Sequence, residues 1–436
     1  MKSMMQILRE IDGLAVAPVS PDTDKQNKIL ISELPFKTYK FRSGSEHNGW
    51  VVPHNWFVKK ALIKKDGKVI YNGKSHPLGV VGYSKTFKGF VSFGELKKHL
   101  FYNKNAPNNI VYHCDFYYKP FKRTWGFSVP YNFYKKLKKG KYEIILETED
   151  SIGQMKVLVY THRGMSPDTI ILNAHNCHAA QLNDGPSGYV VGIKFMKRIR
   201  KLKTRYSYKL IIAPEHLGTV FYLASLSSKD IKSFKSCVFL EMLGNNNPVI
   251  ALQESFNGDS EIDMAAHHYL KNSKHNYWSD KYRKIVGNDE NVWESPGIEV
   301  PTISLSRCKK GSCYPQYHLD SDNINIISKE KLEESVDVLS GILNILENNF
   351  RMKRKFKGLV ALSNPKYDLY FRVDDPSIDS KVSKKGLKWN YLMNRLPRYF
   401  DGKRSILELA EEFNLKFEDV YNYIKKFEEK GLIDFV

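Results

Sequence analysis

Four short stretches of this 436-residue chain place histidines and carboxylates where a strand would hand over to a loop. The first is Asn173-Ala174-His175-Asn176-Cys177-His178, followed by Asn183-Asp184-Gly185. The others are Pro214-Glu215-His216-Leu217-Gly218, Glu241-Met242-Leu243-Gly244 and Tyr317-His318-Leu319-Asp320-Ser321-Asp322. Nitrogen and oxygen donors of this kind suit zinc. Two divalent ions sharing one carboxylate need about five such ligands and a base to activate water. Asp184 has two oxygens and can bridge; His178 and Glu241 then complete one site, and His216 and His318 the other. Glu215 is left as general base, and Asp320 and Asp322 are near enough to orient His318. His175 competes with His178 for the first ligand position. Singly, each residue has an ordinary reading, such as a loop histidine, an N-capping Asp or an acid at a helix start. Glu241 is hardest to set aside, because an unpaired carboxylate ending a buried strand is costly.

The surrounding elements would have to bring these four stretches to one edge. Strand patterns at 142–147, 155–160, 168–174, 208–213, 237–243, 249–253 and 300–304 alternate with helical ones, closing with a helix at 329–348. That alternation predicts an α/β sandwich on a largely parallel sheet, whose strand carboxyl ends are where ligands bind. Between 46 and 130 the texture changes to short strands, turns and dense aromatics, a β-rich insert. Those aromatics read chiefly as core, with a few open to a substrate-facing role. After a basic linker at 351–357, helices at 388–395, 405–413 and 416–430 and a strand at 432–436 follow the order of a winged helix. The expected division is therefore a catalytic domain from 1–45 and 131–350, an inserted domain at 46–130, and a linker with winged helix at 351–436.

Composition narrows the setting. No apolar run approaches the ~18 residues of a membrane span, and the amphipathic N-terminal stretch lacks a signal-peptide core. The five cysteines are scattered, with no CxxC pair, which fits reduced thiols in a cytoplasmic protein. The formal charge of +21 comes from lysines spread along the chain and reads as a solvated surface; an anionic partner or substrate is the alternative. The helix at 416–430 carries Glu418, Asp419, Glu428 and Glu429, which would repel phosphates, so nucleic acid is not the expected partner. The tail suits packing against a neighbour or a homo-oligomer.

The order His, Asp, Glu with the next residue, acid-Met-Leu-Gly, and His resembles the co-catalytic zinc aminopeptidase family. Nearly end to end, the chain is similar to that family's bacterial aminopeptidase-like branch, which carries an inserted β-rich domain and a C-terminal winged helix. The matching stretches are Gly49 to Trp56, Thr124-Trp125-Gly126-Phe127, Cys177-His178, Asn183-Asp184 with Ser187-Gly188, Pro214-Glu215 with Gly218, Ser295 to Pro301, and Tyr317-His318 with Ser321-Asp322. The resemblance implies one or two zinc ions per chain. His178, Asp184 and Glu241 would hold one, Asp184, His216 and His318 the other, and Glu215 would take a proton from water. It also implies hydrolysis of an N-terminal peptide or related amide, with a small peptide-like or amino-acid-amide substrate. Asp289 and Glu290 would grip the substrate ammonium, and Arg307 and Tyr317 would line the cleft. Three positions depart from the family pattern: His216 replaces a second glutamate, Glu241 replaces an aspartate, and Ala180 stands where an aspartate orients the first histidine. The second reading is a catalytically silent relative that binds a ligand or partner through the same cleft. Nothing in the insert names the substrate, and a carbohydrate-linked amide or modified amino acid is as compatible as a peptide.

Overall fold

The computed structural model describes residues 2–370 and 384–436. Residues 371–383, inside the stretch expected to hold the linker and winged helix, lie outside the described residues. The chain divides into one unit comprising Met1–Gly258 and His275–Asp337 and another comprising Asp259–Lys274 and Val338–Val436.

In the first unit an eight-stranded sheet runs in the order Lys37–Arg42, Gln154–His162, Ser207–Ala213, Thr169–His175, Phe234–Leu240, Thr302–Ser306, Ile250–Gln253, Tyr277–Asp280. The four strands from Ser207–Ala213 to Thr302–Ser306 are parallel. Antiparallel pairings flank this block on both sides and the outermost pair, Ile250–Gln253 with Tyr277–Asp280, is parallel again, so the sheet is mixed. Its central strand Thr169–His175 is buried at every position, which explains why it reads as a continuous apolar run instead of an alternating one. Helices cover both faces. Tyr222 and Leu223 of helix Leu217–Ala224 share a core with Ile171, Ile211 and Cys237. Gly192 of helix Pro186–Ile199 lies against Leu210 and Leu240. Leu210 and Ile211 are neighbours in one strand and must point to opposite faces.

Helix Pro186–Ile199 is the element that fixes two of the candidate ligand loops. A Cβ on Gly188 would overlap the carbonyl oxygen of Leu240, backbone against backbone, so the helix sits directly on the strand that delivers Glu241. Backbone and side-chain hydrogen bonds then fasten the two loops together. Met242 N donates to Asn183 O at 3.0 Å, Gly244 N to Asn183 Oδ1 at 2.9 Å, and Leu243 N to Ser187 Oγ at 2.8 Å. Asp184 and Glu241 are thereby fixed relative to one another. Gly188→Ala is expected to cost about 1–3 kcal/mol or more, the range for forcing volume into a packed contact. It should appear as a lower urea midpoint with little change in slope.

A second sheet, antiparallel throughout, runs Lys68–Asn72, Asn55–Lys65, Lys141–Ser151, Phe87–Ser92. The Lys141–Ser151 strand thus belongs with the β-rich stretch and not with the large sheet, where it was expected. Tyr142, Ile144 and Leu146 are fully buried while Lys141, Glu143 and Glu147 are not, the alternation of a strand with one wet face. Those three residues share a core with Trp56, Ile63, Val81, Tyr83, Trp125 and Phe127.

In the second unit three strands, Asp401–Ser405, Arg351–Arg354 and Ile433–Phe435, form a small sheet with Arg351–Arg354 in the centre. The expected basic linker therefore begins as a strand: Met352 is fully buried and pairs with Phe435 while its charged neighbours face out. Helices Lys384–Tyr399, Ile406–Phe413 and Phe417–Glu429 follow the expected order. Ser405 and Glu408 close a capping box at the start of the second of these. Among the described residues no helix is long and apolar enough to cross a membrane.

Candidate metal centre

His175 ends the buried strand Thr169–His175, and its Nε2 lies 3.1 Å from Asp184 Oδ1 and 3.8 Å from Glu241 Oε2. On the other oxygen of the same carboxylate, His318 Nε2 is 3.0 Å from Asp184 Oδ2. Two groups suited to a metal ion share Asp184: His175 with Asp184 and Glu241, and His178 with Asp184 and His318. Every member is buried except the half-buried His318. Glu215 lies beside them, its Oε2 3.5 Å from His178 Nε2.

These sets differ from the expected ones. His175 takes the place anticipated for His178 beside Glu241, and His178 takes the place anticipated for His216. The reason is local backbone geometry. His216 has a left-handed φ of 55°, uncommon for a residue with a side chain, and its N–H donates to Asp289. Its ring stacks on Trp50 at 6.0 Å between centroids, and its Nδ1 is 3.3 Å from Glu215 Oε1. It belongs to neither triad. Met242 and His318 also have positive φ, 52° and 57°, so backbone strain gathers at the turns that aim the cluster, as it does at functional sites.

His175 Nε2 and Asp184 Oδ1 bond to one another, but other buried atoms of the cluster are left over. Among the described residues Asp184 Oδ2, Glu241 Oε1 and His318 Nε2 have no well-aligned hydrogen-bond partner, although Oδ2 and Nε2 are close together. Carboxylate oxygens and an imidazole nitrogen left over in this way form a donor set for a divalent cation. Orphaned buried polar atoms are otherwise expensive. The residues present therefore fit zinc, with His175, Asp184 and Glu241 able to hold one ion and His178, Asp184 and His318 a second.

Electrostatics prepare most of these donors. Burial pushes the His178 imidazole down to about 4 against the pull of Asp184, so its lone pair is available at neutral pH. Burial also disfavours the Asp184 charge, but the surrounding histidines outweigh it and hold the carboxyl well below its usual range. Glu215 behaves likewise: burial opposes ionisation, yet contact with His216 and the nearby His178 and His175 hold it down to about 2. Two groups are exceptions: burial pushes Glu241 up to about 8, and His175, although burial opposes its charge, is raised well above its usual range by contact with Asp184, Cys177 and Glu241, so a cation there would displace protons.

Outer contacts hold the cluster in place. Asp322 accepts from the backbone N–H groups of Leu182, Asn183 and Asp184 at 3.2, 2.8 and 3.2 Å and from Tyr314. It orients the Asp184 loop and not His318. Asp320 is likewise engaged elsewhere, with Asn109 Nδ2 and Ile110 N. His318 is instead packed between rings: Tyr317 stacks on it at 3.9 Å and Tyr112 of the β-rich stretch meets it edge-on at 5.2 Å. Tyr112 also touches His178 at 4.7 Å.

A cavity of about 470 Å³ opens over the cluster, lined by His178, Asp184, Glu215, His216, Tyr317 and His318 among others. A larger one of about 710 Å³ shares Cys114 with it and is walled by Trp56, Tyr83, Tyr112 and Tyr117, with Cys177 also in its lining. Of the four residues expected to contact substrate, only Tyr317 lines the smaller cavity. Asp289 is fully buried, accepting from His216 N and Thr219 Oγ1, and Glu290 is fully buried against Arg283 and Asn288 N.

Arg307, expected in the cleft, is a structural residue. It is completely buried, and its guanidinium donates to Leu243 O at 3.3 Å, Asn247 O at 3.0 Å, Lys331 O at 3.3 Å and Ser335 Oγ at 3.2 Å. Arg307→Ala should cost about 3 kcal/mol or more, because Glu334 and several carbonyls lose their donor together. Chemical denaturation would show this as a lower midpoint.

Two contributors escape a reading of the sequence. Asn288 donates its side-chain amide to Glu241, and Cys177 accepts from Glu215 N at 3.3 Å while lying 3.5 Å from His178 Nδ1. The Cys-His dipeptide is a visible signal for the latter; nothing in Gly-Asn-Asp-Glu marks Asn288 above its acidic neighbours.

Comparison with known proteins agrees with this architecture. Over 425 residues the chain is 27% identical to a Clostridium acetobutylicum protein with the working description of a polysaccharide biosynthesis protein with an aminopeptidase-like domain, covering 96% of this chain and 91% of that one. A crystal structure of a provisionally designated peptidase from Clostridium acetobutylicum matches at TM-score 0.83 and 24% identity, covering 99% of this chain and 96% of that one. BSAP, a zinc aminopeptidase from Bacillus subtilis, matches at TM-score 0.56 and 14% identity, over 78% of this chain and 94% of its own. At those identities the two structures establish a shared fold: a mixed α/β architecture like that of the zinc aminopeptidases. Residues 4–349 match the family described as a domain of unknown function, DUF4910, and the chain belongs to that family.

Proposed function

We propose that the chain is a zinc-dependent, aminopeptidase-like hydrolase that cleaves an amide bond. The observation that carries this reading is Asp184, a buried carboxylate shared by two triads, several of whose buried atoms lack partners among the described residues. Zinc bound there would polarise a carbonyl and make water acidic enough to attack it at neutral pH. The chain's own part falls first to Glu215. Its carboxylate is ionised, lines the cavity and lies beside His178, so it can take a proton from water and return it to the leaving amine. The turn that presents Glu215 is held from both sides, by Asp289 through His216 N and by Tyr117, whose hydroxyl donates to Glu215 O at 3.2 Å. Tyr112 and Tyr317, packed on the histidines, keep water away from one side of the cluster.

The β-rich stretch contributes Tyr112 to this site, which supports reading 46–130 as an insert that shapes the cleft. The helices and small sheet of the second unit support a winged-helix module. Glu418, Asp419, Glu428 and Glu429 on or beside its last helix favour protein packing over phosphate contact.

The test is zinc uptake by the metal-stripped full chain, followed by hydrolysis screens on small acyl and aminoacyl amides. Stoichiometric uptake with zinc-dependent cleavage supports the reading. Tight uptake with no cleavage across both amide classes would favour a binding protein on the same scaffold.

A further inference from the structure

Recognition of a free substrate ammonium requires an acid facing the reaction space, and among the described residues the charges around the smaller cavity do not supply a further one. The acidic side chains lining it are Asp184 and Glu215, both already part of the cluster. Asp289 and Glu290 are instead turned to partners inside the protein. The remaining formal charges on the lining are Arg283 and Lys284, both exposed. Resting on the hydrolase reading, the geometry points to a substrate that carries a carboxylate-like anion beside the scissile amide, held by Arg283 and Lys284.

Arg283 is built in and does not merely happen to lie nearby. Its Nη1 is 3.1 Å from Glu290 Oε1 and 3.4 Å from Asn288 O, and Glu290 is fully buried. Both Glu290 oxygens also accept from Asn288 N, at 3.0 and 2.8 Å, so the acid is a fixed anchor. The backbone at Arg283 is left-handed, with φ 55°, which is uncommon for a residue with a side chain. The guanidinium lies close over Gly287, where a Cβ would come within 2.8 Å of Nη2. The same segment is tied to the cluster, because Asn288 donates its side-chain amide to Glu241. Arg283 is thus held in register with the candidate metal ligands by one short loop. A planar guanidinium has five donors, and anchoring through Nη1 leaves others for the fork that matches a carboxylate. In this arrangement Glu290 is a positioning residue for Arg283, not an ammonium ligand.

The experiment is calorimetric binding to the zinc-loaded full chain of three probes of similar size: N-benzoylglycine, N-benzoylglycinamide and glycine benzylamide. They present a carboxylate, a neutral amide and an ammonium. The carboxylate probe should bind roughly 10- to 100-fold tighter than the neutral one, the effect of charge-assisted hydrogen bonds partly exposed to water. The ammonium probe should bind weakest. R283M should bring the carboxylate and neutral probes to within about twofold of each other, the residual charge being screened. K281M, which removes a charge from outside the lining, should leave the order intact. Tightest binding of the ammonium probe, or a carboxylate preference that survives R283M, overturns the proposal. Cleavage of the same probes is recorded in parallel, which separates the two claims. The predicted binding order without cleavage supports the anion clamp and counts against the hydrolase, whereas cleavage with an ammonium preference does the reverse.

Discussion

Glu215→Gln should lower kcat by about 10²- to 10⁴-fold, the range for losing a general base, while the protein keeps its zinc. The substitution is nearly isosteric, and Glu215 belongs to neither of the triads built around Asp184, so the ligand sets remain. An amide cannot accept the proton that the carboxylate takes. Its NH₂ and carbonyl oxygen can still face His178 and His216, one apiece, which limits the cost to folding even though Glu215 is buried beside both. The expected signature is therefore a split: kcat falls, zinc content and urea midpoint hold. Loss of metal together with activity would move Glu215 from base to ligand, which the third buried group, with His175, Cys177 and His178, makes a concrete alternative outcome.

Asp184→Ala should abolish stoichiometric zinc and activity together. Both triads use this carboxylate, one on each oxygen, so no complete set survives its removal. Loss of an outer-shell partner typically costs 10- to 100-fold in metal affinity, and loss of a bridging ligand should exceed ~100-fold at both sites. The backbone consequence is smaller, because the loop is held by Asp322 through three N–H groups that do not involve the Asp184 side chain. Folded protein without metal is the expected product. Retention of one tightly held ion in Asp184→Ala would show that the carboxylate serves a single site.

Much of the site is legible in the sequence, for physical reasons that also explain what is not. The strand before His175 and the helix after Asp184 announce themselves by an apolar run and a helical period, so the strand-end placement of the ligands can be read directly. The choice between His175 and His178 cannot, because both leave the same strand end and only the path of the loop decides which faces Glu241. His216 falls outside both triads for a related cause: at its positive φ the ring stacks on Trp50 and meets Glu215, and no residue type in Pro-Glu-His-Leu-Gly signals that. Strand direction is a long-range property, so the antiparallel flanks of the sheet leave no local mark. The Lys141–Ser151 strand does leave one, since Tyr142, Ile144 and Leu146 alternate with Lys141, Glu143, Ile145 and Glu147, mostly charged, as in a half-wet sheet. Arg307 and Glu290 show the reverse error, in which a charged residue near a motif is read as reaching for substrate when burial has already given it partners inside the protein.

Metal content distinguishes His178 from His216 as the ligand beside Asp184 and His318. Zinc per chain should be measured after reconstitution and desalting for the wild type, His178→Ala and His216→Ala. With two triads sharing Asp184, the wild type should hold two ions. His178→Ala should lose one, and His216→Ala, whose ring rests on Trp50 outside both triads, should keep both. The opposite pattern, with an ion lost in His216→Ala and none in His178→Ala, would make His216 the ligand and remove His178 from the set.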